Sequence, residues 1–153
     1  MELLSRIRSR SAFLLLALWW GGFTFYTAVV VSVGTKVLRS ATKQGFITAQ
    51  VTNYLNHLAG LALAAILWEL WARRKAGAAS RWREMAWLIA LLALLAQVYV
   101  HPKLSALLDF TSREVLDEGA FYRLHRIYLC LATAQWLGSF LLLLGWHPDR
   151  QRD

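Results

Sequence analysis

A single cysteine, Cys130, stands among the 153 residues, which excludes an internal disulfide and any thiolate cluster within one chain. HxxxH, CxxCH and HExxH spacings are missing too, so no run of closely spaced metal or haem ligands is present. Acidic residues are few, nine against seventeen Lys and Arg. No polar stretch is long enough for a separate soluble domain, and neither an internal repeat nor a low-complexity segment occurs. Apolar mass takes their place: 58% of residues are hydrophobic and 13% aromatic, with eight Trp, richer than an ordinary soluble domain.

That mass falls into four blocks, 11–33, 47–71, 85–100 and 121–146. At about 1.5 Å per residue each crosses or nearly crosses a hydrocarbon core about 30 Å thick. The expected fold is therefore all-α, a single integral membrane four-helix bundle with helices over about 11–38, 47–72, 84–108 and 121–146. Arg6, Arg8 and Arg10 precede the first block as in a signal peptide. The run continues through Trp19 and Trp20 to Val33 without a small-x-small site, so it is expected to be a retained helix. Between helices 3 and 4, Leu104, Leu107, Leu108, Thr111, Val115 and Leu116 recur at helical spacing. This pattern predicts an amphipathic helical extension over about 103–118, with Pro102 at a kink and Gly119 as the stop before helix 4.

The net charge of +8 follows the helix ends rather than a nucleic-acid face. Arg6, Arg8 and Arg10, then Arg73, Arg74, Lys75, Arg81 and Arg83, then Arg150 and Arg152 share one side of a four-span chain. The positive-inside rule makes that side the cytoplasm, so both termini are expected to be cytoplasmic. The bilayer is the expected partner, and nucleic acid is not.

Polar residues inside the spans form the candidate site. In helix 2, Asn53, Asn56, His57, Gly60 and Ala64 follow one stripe; in helix 4 the stripe is His125, Tyr128, Ala132, Gln135 and Ser139. Helix 1 offers Gly21, Thr24, Thr27 or Ala28, Val31 and Thr35, and helix 3 offers Gln97 and His101. Lipid cannot satisfy amides or imidazoles, so these stripes are expected to line the bundle interior. Trp68, Trp71, Trp82 and Trp87 are expected at the inner interface. An outer-leaflet pocket of Asn53, Asn56, His57, Gln97, His101, Tyr122, His125 and Arg126 follows, and holding the helices together is the alternative role for each polar group. Neutral imidazole ligates metals, so His57, His101 and His125 are also candidates for a transition metal or, in pairs, for haem. Lys36, Arg123 and Arg126 near the same mouth suit an anionic ligand or a lipid headgroup. His147 reads as an ordinary interfacial residue, and no catalytic residue is identified.

The stretches "WWGGFTFYTAVVVSVGTKVL" (19–38), "QGFITAQVTNYLN" (44–56), "HPKLSALL" (101–108) and "FYRLHRIYLCLATAQWLGSFLLLL" (121–144) together resemble the transmembrane-protein-205-like family of small four-helix membrane proteins. The wording is similar to uncharacterised bacterial, planctomycete-type members. Ser32 stands where members commonly have Pro, and "LCLATAQ" where they often carry Asn. The resemblance implies a multi-pass protein of the bacterial inner (cytoplasmic) membrane and, through a eukaryotic member linked to platinum-drug resistance, a role in export or membrane traffic. Three readings stay open: small-molecule or metal-ion handling through the pocket; a haem-binding or redox membrane protein using two histidines; and an accessory subunit that self-associates or joins a membrane complex through its Gly/Ala faces, Gly60 and Gly138 among them, and the amphipathic 103–118 segment.

Overall fold

The structure is a computed structural model that describes residues 2–146; His147, Arg150 and Arg152 lie outside the described residues. Among the described residues, four helices are long and apolar enough to cross a membrane, over Leu3–Leu38, Ala41–Lys75, Arg81–Ser105 and Glu118–Leu144. The chain is thus an all-α bundle of the kind a multi-pass membrane protein requires. The first span comprises α1 (Glu2–Phe25), one π-helical turn (Tyr26–Val30) and α2 (Val31–Leu38). The others are α3 (Ala41–Lys75), α4 (Arg81–Ser105) and α5 (Glu118–Leu144). Helices begin several residues earlier than hydropathy alone suggests, because the charged ends at Arg6–Arg10 and Lys43 continue the same backbone hydrogen-bond ladder beyond the apolar stretch.

Tight caps turn the chain. Arg39 adopts φ 49° after α2, and the Ser40 hydroxyl accepts from the Lys43 amide at 3.2 Å to start α3. Asp117 caps α5 by accepting from the Ala120 amide at 2.9 Å. The helix therefore starts at an Asx cap, and Gly119 lies inside its first turn rather than stopping the preceding segment.

The expected amphipathic helix over 103–118 is corrected. Only its beginning is helical, since α4 runs through Pro102 and ends at Ser105. Two short strands follow, β1 (Leu108–Asp109) and β2 (Glu114–Val115), pairing antiparallel with Leu108 opposite Val115. The Asp109 carboxylate accepts from the Thr111 and Ser112 amides at 2.8 and 3.2 Å, and Arg113 sits at φ 59°. An Asx turn captures the backbone donors that a helix would have used, and this local competition outweighs the apolar periodicity.

The core lies toward the end of the bundle where α1 starts and α5 ends. Ala12, Leu16 and Trp19 of α1 pack with Ala59, Ala62, Leu63 and Ile66 of α3, Ala86, Ala90 and Leu94 of α4, and Leu142 of α5. Phe13 and Trp146 meet there at 5.7 Å between ring centroids. One buried carboxylate fixes α1 on α3: Glu69 is 1% exposed and accepts from Arg8 and Arg73 Nε, each at 2.7 Å. The Glu69–Arg73 pair is visible in the sequence as i, i+4, whereas Arg8 joins only through packing. Trp68, Trp71 and Trp82 face outward at this end, but Trp87 turns inward and donates to the Leu63 carbonyl at 2.9 Å.

Gly138 is occupied inside the molecule. A β-carbon there lies 3.1 Å from the Ala86 carbonyl oxygen and 3.3 Å from Ala90 Cβ, so this glycine lets α5 approach α4 and does not face a partner. Gly60 has open space around it.

Two outcomes follow. Gly138→Leu should destabilise the detergent-solubilised protein by about 1–3 kcal/mol through overpacking, while Gly60→Leu changes it by less than about 0.5 kcal/mol; thermal unfolding of both variants compares them. The hairpin turn should depend on pH, because the two amide donors hold the Asp109 carboxyl below the usual carboxylate range. Its contribution is complete above the ordinary aspartate value of about 3.9 and disappears as pH falls through the lowered folded value. Protection of the Thr111 and Ser112 amides, measured relative to their intrinsic exchange rate at each pH, should fall only on that acid limb.

Candidate functional site

At the opposite end of the bundle the helices part around a cavity of about 400 Å³. One wall is the first span: Phe23 near the end of α1, Tyr26 and Thr27 in the π turn, then Val31 and Thr35 of α2 above them. In that turn the Val31 amide bonds back to the Tyr26 carbonyl, five residues away, so an extra residue is inserted and the face presented by α2 is re-aimed. The floor comes from α3 and α4, and the second wall is the first turns of α5, with Phe121, His125, Tyr128 and Leu129. Thr35 to Phe23 spans about 18 Å along the helix at ~1.5 Å per residue. Thr27 and Leu129 line the cavity yet are themselves exposed, which places its mouth on the seam between the first span and α5. Below the mouth the seam is shut by Trp20, which stacks on Trp136 at 5.2 Å and Phe140 at 5.3 Å, and by Trp136 donating to Thr24 Oγ1 at 2.8 Å.

Most polar groups on the lining are already paired. The hydroxyls of Thr27, Thr35, Thr48 and Thr52 donate to carbonyls one turn back in their own helices at 2.8–3.0 Å, leaving only acceptor lone pairs free. Tyr26 donates to Thr48 Oγ1 at 3.1 Å, tying the π turn to α3. His101 Nε2 lies 2.8 Å from the Ala49 carbonyl. A carbonyl can only accept, so Nε2 carries the proton in this arrangement, and the ring pins α4 to α3. Gln44, 3% exposed, fills the space that Gly34 leaves open; a β-carbon at position 34 collides with its side-chain amide. Among the described lining residues, Ser105 and His125 make no hydrogen bond to the protein; the His125 ring instead stacks on Phe121 at 5.7 Å. Among the described residues, no Asp, Glu, Lys or Arg lines the cavity.

Of the eight residues expected at this site, His101 and His125 line the cavity. Asn56 sits behind it, its Nδ2 3.1 Å from the Tyr128 hydroxyl. Gln97 is buried deeper between α4 and α5, where its Nε2 donates to Gln135 Oε1 at 2.6 Å and to the Ala93 carbonyl at 3.2 Å. The remaining four, Asn53, His57, Tyr122 and Arg126, are exposed on outer faces. His57 satisfies itself locally, Nδ1 donating to the Asn53 carbonyl at 2.7 Å, so it needs no partner across the bundle.

The expected stripe on the second span is therefore displaced. The inward face of α3 carries Gln44, Thr48 and Thr52 and continues through Ala59, Ala62, Leu63, Ile66 and Glu69. The apolar packing at 59–66 and the buried Glu69 set this rotation, and Asn53 and His57 fall outside it. Gln44, Thr48 and Thr52 repeat at i, i+4 and i+8, a signal that the sequence contained. Gly21 on the first span likewise faces outward, whereas the α5 stripe of Tyr128, Ala132, Gln135 and Ser139 is buried as expected.

A three-histidine metal site is not assembled. Among the described residues no three His, Cys, Asp or Glu side chains converge on a point that can hold an ion, since His57 lies on another face of α3. The pair that remains fits an axial haem poorly, because His101 Nε2 is committed to Ala49. In comparisons with family models, curated proteins and solved structures, nothing matches the chain.

Gly34→Val should displace Gln44 and cost about 1–3 kcal/mol. Adding Gln44→Ala to that variant should restore part of the loss, which thermal unfolding of the single and double variants measures. A double variant as unstable as the single one argues against Gly34 as the seat of Gln44.

Proposed function

We propose that this protein is a multi-pass inner-membrane protein that binds an uncharged, largely apolar small molecule bearing a hydroxyl or carbonyl group. The observation that carries this reading is the cavity of about 400 Å³ without a charged lining residue, in which the half-buried His125 ring has no hydrogen-bond partner in the protein. That volume suits a small ligand, and apolar walls with few polar groups are the usual composition of such sites. A mouth on the seam between two spans gives access from the lipid phase, where a lipophilic ligand is concentrated. The positive-inside rule places the basic end, with Arg8, Arg73 and Arg83, in the cytoplasm, and the cavity then opens in the outer leaflet. A neutral imidazole offers one donor and one acceptor, and the threonine oxygens offer acceptors, so a ligand hydroxyl finds both halves of its hydrogen bonding there.

Farnesol and the matching hydrocarbon farnesene serve as probes. The wild-type chain in detergent should bind farnesol more tightly. His125→Phe, which keeps a ring against Phe121, should weaken farnesol by roughly twofold to tenfold, the worth of one hydrogen bond, and leave farnesene unchanged. Calorimetry comparing the two probes decides; equal loss for both, or no binding of either, removes the proposal.

A further inference from the structure

A second concavity lies on another face of α3, independent of the cavity above. It is a groove of about 440 Å³ between α3, the end of α2 and the hairpin turn. On α3, Lys43, Ile47, Gln50 and Tyr54 follow i, i+4, i+7 and i+11, one continuous stripe that points away from the bundle. The hairpin contributes Phe110, whose ring meets Phe46 edge-on at 5.2 Å, and Arg113.

Three polar residues of this groove have no hydrogen-bond or ion-pair partner for their side chains among the described residues: Lys43, Arg113 and Gln50. No carboxylate lines it, although Asp109 and Glu114 flank the turn, and Asp109 is engaged by the Thr111 and Ser112 amides. The order along the helix is informative. Lys43 is near the start of α3, Gln50 lies about 10 Å further along at ~1.5 Å per residue, and Ile47, Val51 and Tyr54 provide apolar surface beside and below it. Gln50 faces what is lipid in a membrane, where a lone amide is costly. A glycerophospholipid presents its groups in the same sequence: an anionic phosphate, ester carbonyls that accept hydrogen bonds, then hydrocarbon.

We propose that this groove is a binding site for one anionic phospholipid, with the headgroup phosphate between Lys43 and Arg113, an ester carbonyl at Gln50, and an acyl chain along Ile47, Val51 and Tyr54. The hairpin then acts as a headgroup clasp. Two cations without protein partners are the charge complement of an anionic headgroup, and the apolar stripe excludes inorganic phosphate as the complete ligand.

The test uses the full chain, delipidated in detergent and titrated with phosphatidylglycerol or with phosphatidylcholine of identical acyl chains, and followed by native mass spectrometry. Phosphatidylglycerol should be retained in preference to phosphatidylcholine. Lys43→Gln together with Arg113→Gln should lower its retention about tenfold or more. Lys103→Gln should leave retention unchanged, since Lys103 lies over the Tyr99 ring at 3.9 Å, outside the groove. Lys43→Gln alone alters an exposed side chain without a protein partner, so it reports on the headgroup contact even if Arg113→Gln disturbs the hairpin. Equal retention of the two lipids by the wild type, or undiminished phosphatidylglycerol retention by the Lys43→Gln and double variants, overturns the proposal.

Discussion

Hydrocarbon offers no hydrogen-bond partner, so a polar group carried into a membrane span is costly until the protein answers it, and much of the packing of this bundle is organised around such answers. The threonines use the carbonyls of their own helices. The groups that reach between helices do more: His101 to Ala49, Trp87 to Leu63, Asn56 to Tyr128, Gln97 to Gln135 and Trp136 to Thr24. Each is worth only about 1 kcal/mol in a membrane, yet each admits one rotation and one depth for the two helices it joins. The Arg8–Glu69–Arg73 cluster applies the same rule to charge, because the buried Glu69 carboxylate is answered by two guanidiniums, one from its own helix and one from α1.

The two ends of the bundle meet this constraint differently. At the end where α1 starts and α5 stops, small and large side chains interlock, with Gly138 on Ala86 and Ala90 and with Trp19 and Leu16 against α3. At the hairpin end, the π turn at Tyr26–Val30 re-aims the rest of the first span. That span packs on α3, while its seam with α5 is left open above Trp136. The cavity is a consequence of this divergence rather than of any ligand motif. Its unpartnered ring, His125, sits where the bundle stops supplying hydrogen-bond partners.

Four spans and an inward stripe on α5 were legible from periodicity, because hydropathy and helical spacing are local properties. The candidate site was legible only in part. His101 and His125 line the cavity, whereas the reading that turns Asn53 and His57 inward assumes that lipid leaves no local remedy. The His57 bond to the carbonyl one turn back supplies that remedy, and no periodicity reveals it. The stripe of Gln44, Thr48 and Thr52 carried the same kind of signal one step around the helix, and its side chains line the cavity.

The sequence by itself determined the number of spans, their approximate ends and the crowding of arginine and lysine at the ends of the spans, since these depend on residue type and position along one helix. Tertiary structure decided the rest. Rotation of α3 was set by Glu69 and its apolar neighbours against α1; closure at Gly138 brought α5 onto α4; an Asx turn at Asp109 replaced an amphipathic helix with a hairpin. Those outcomes depend on which groups from distant segments satisfy one another, and a helix rotated by a third of a turn keeps the same hydropathy while presenting a different site.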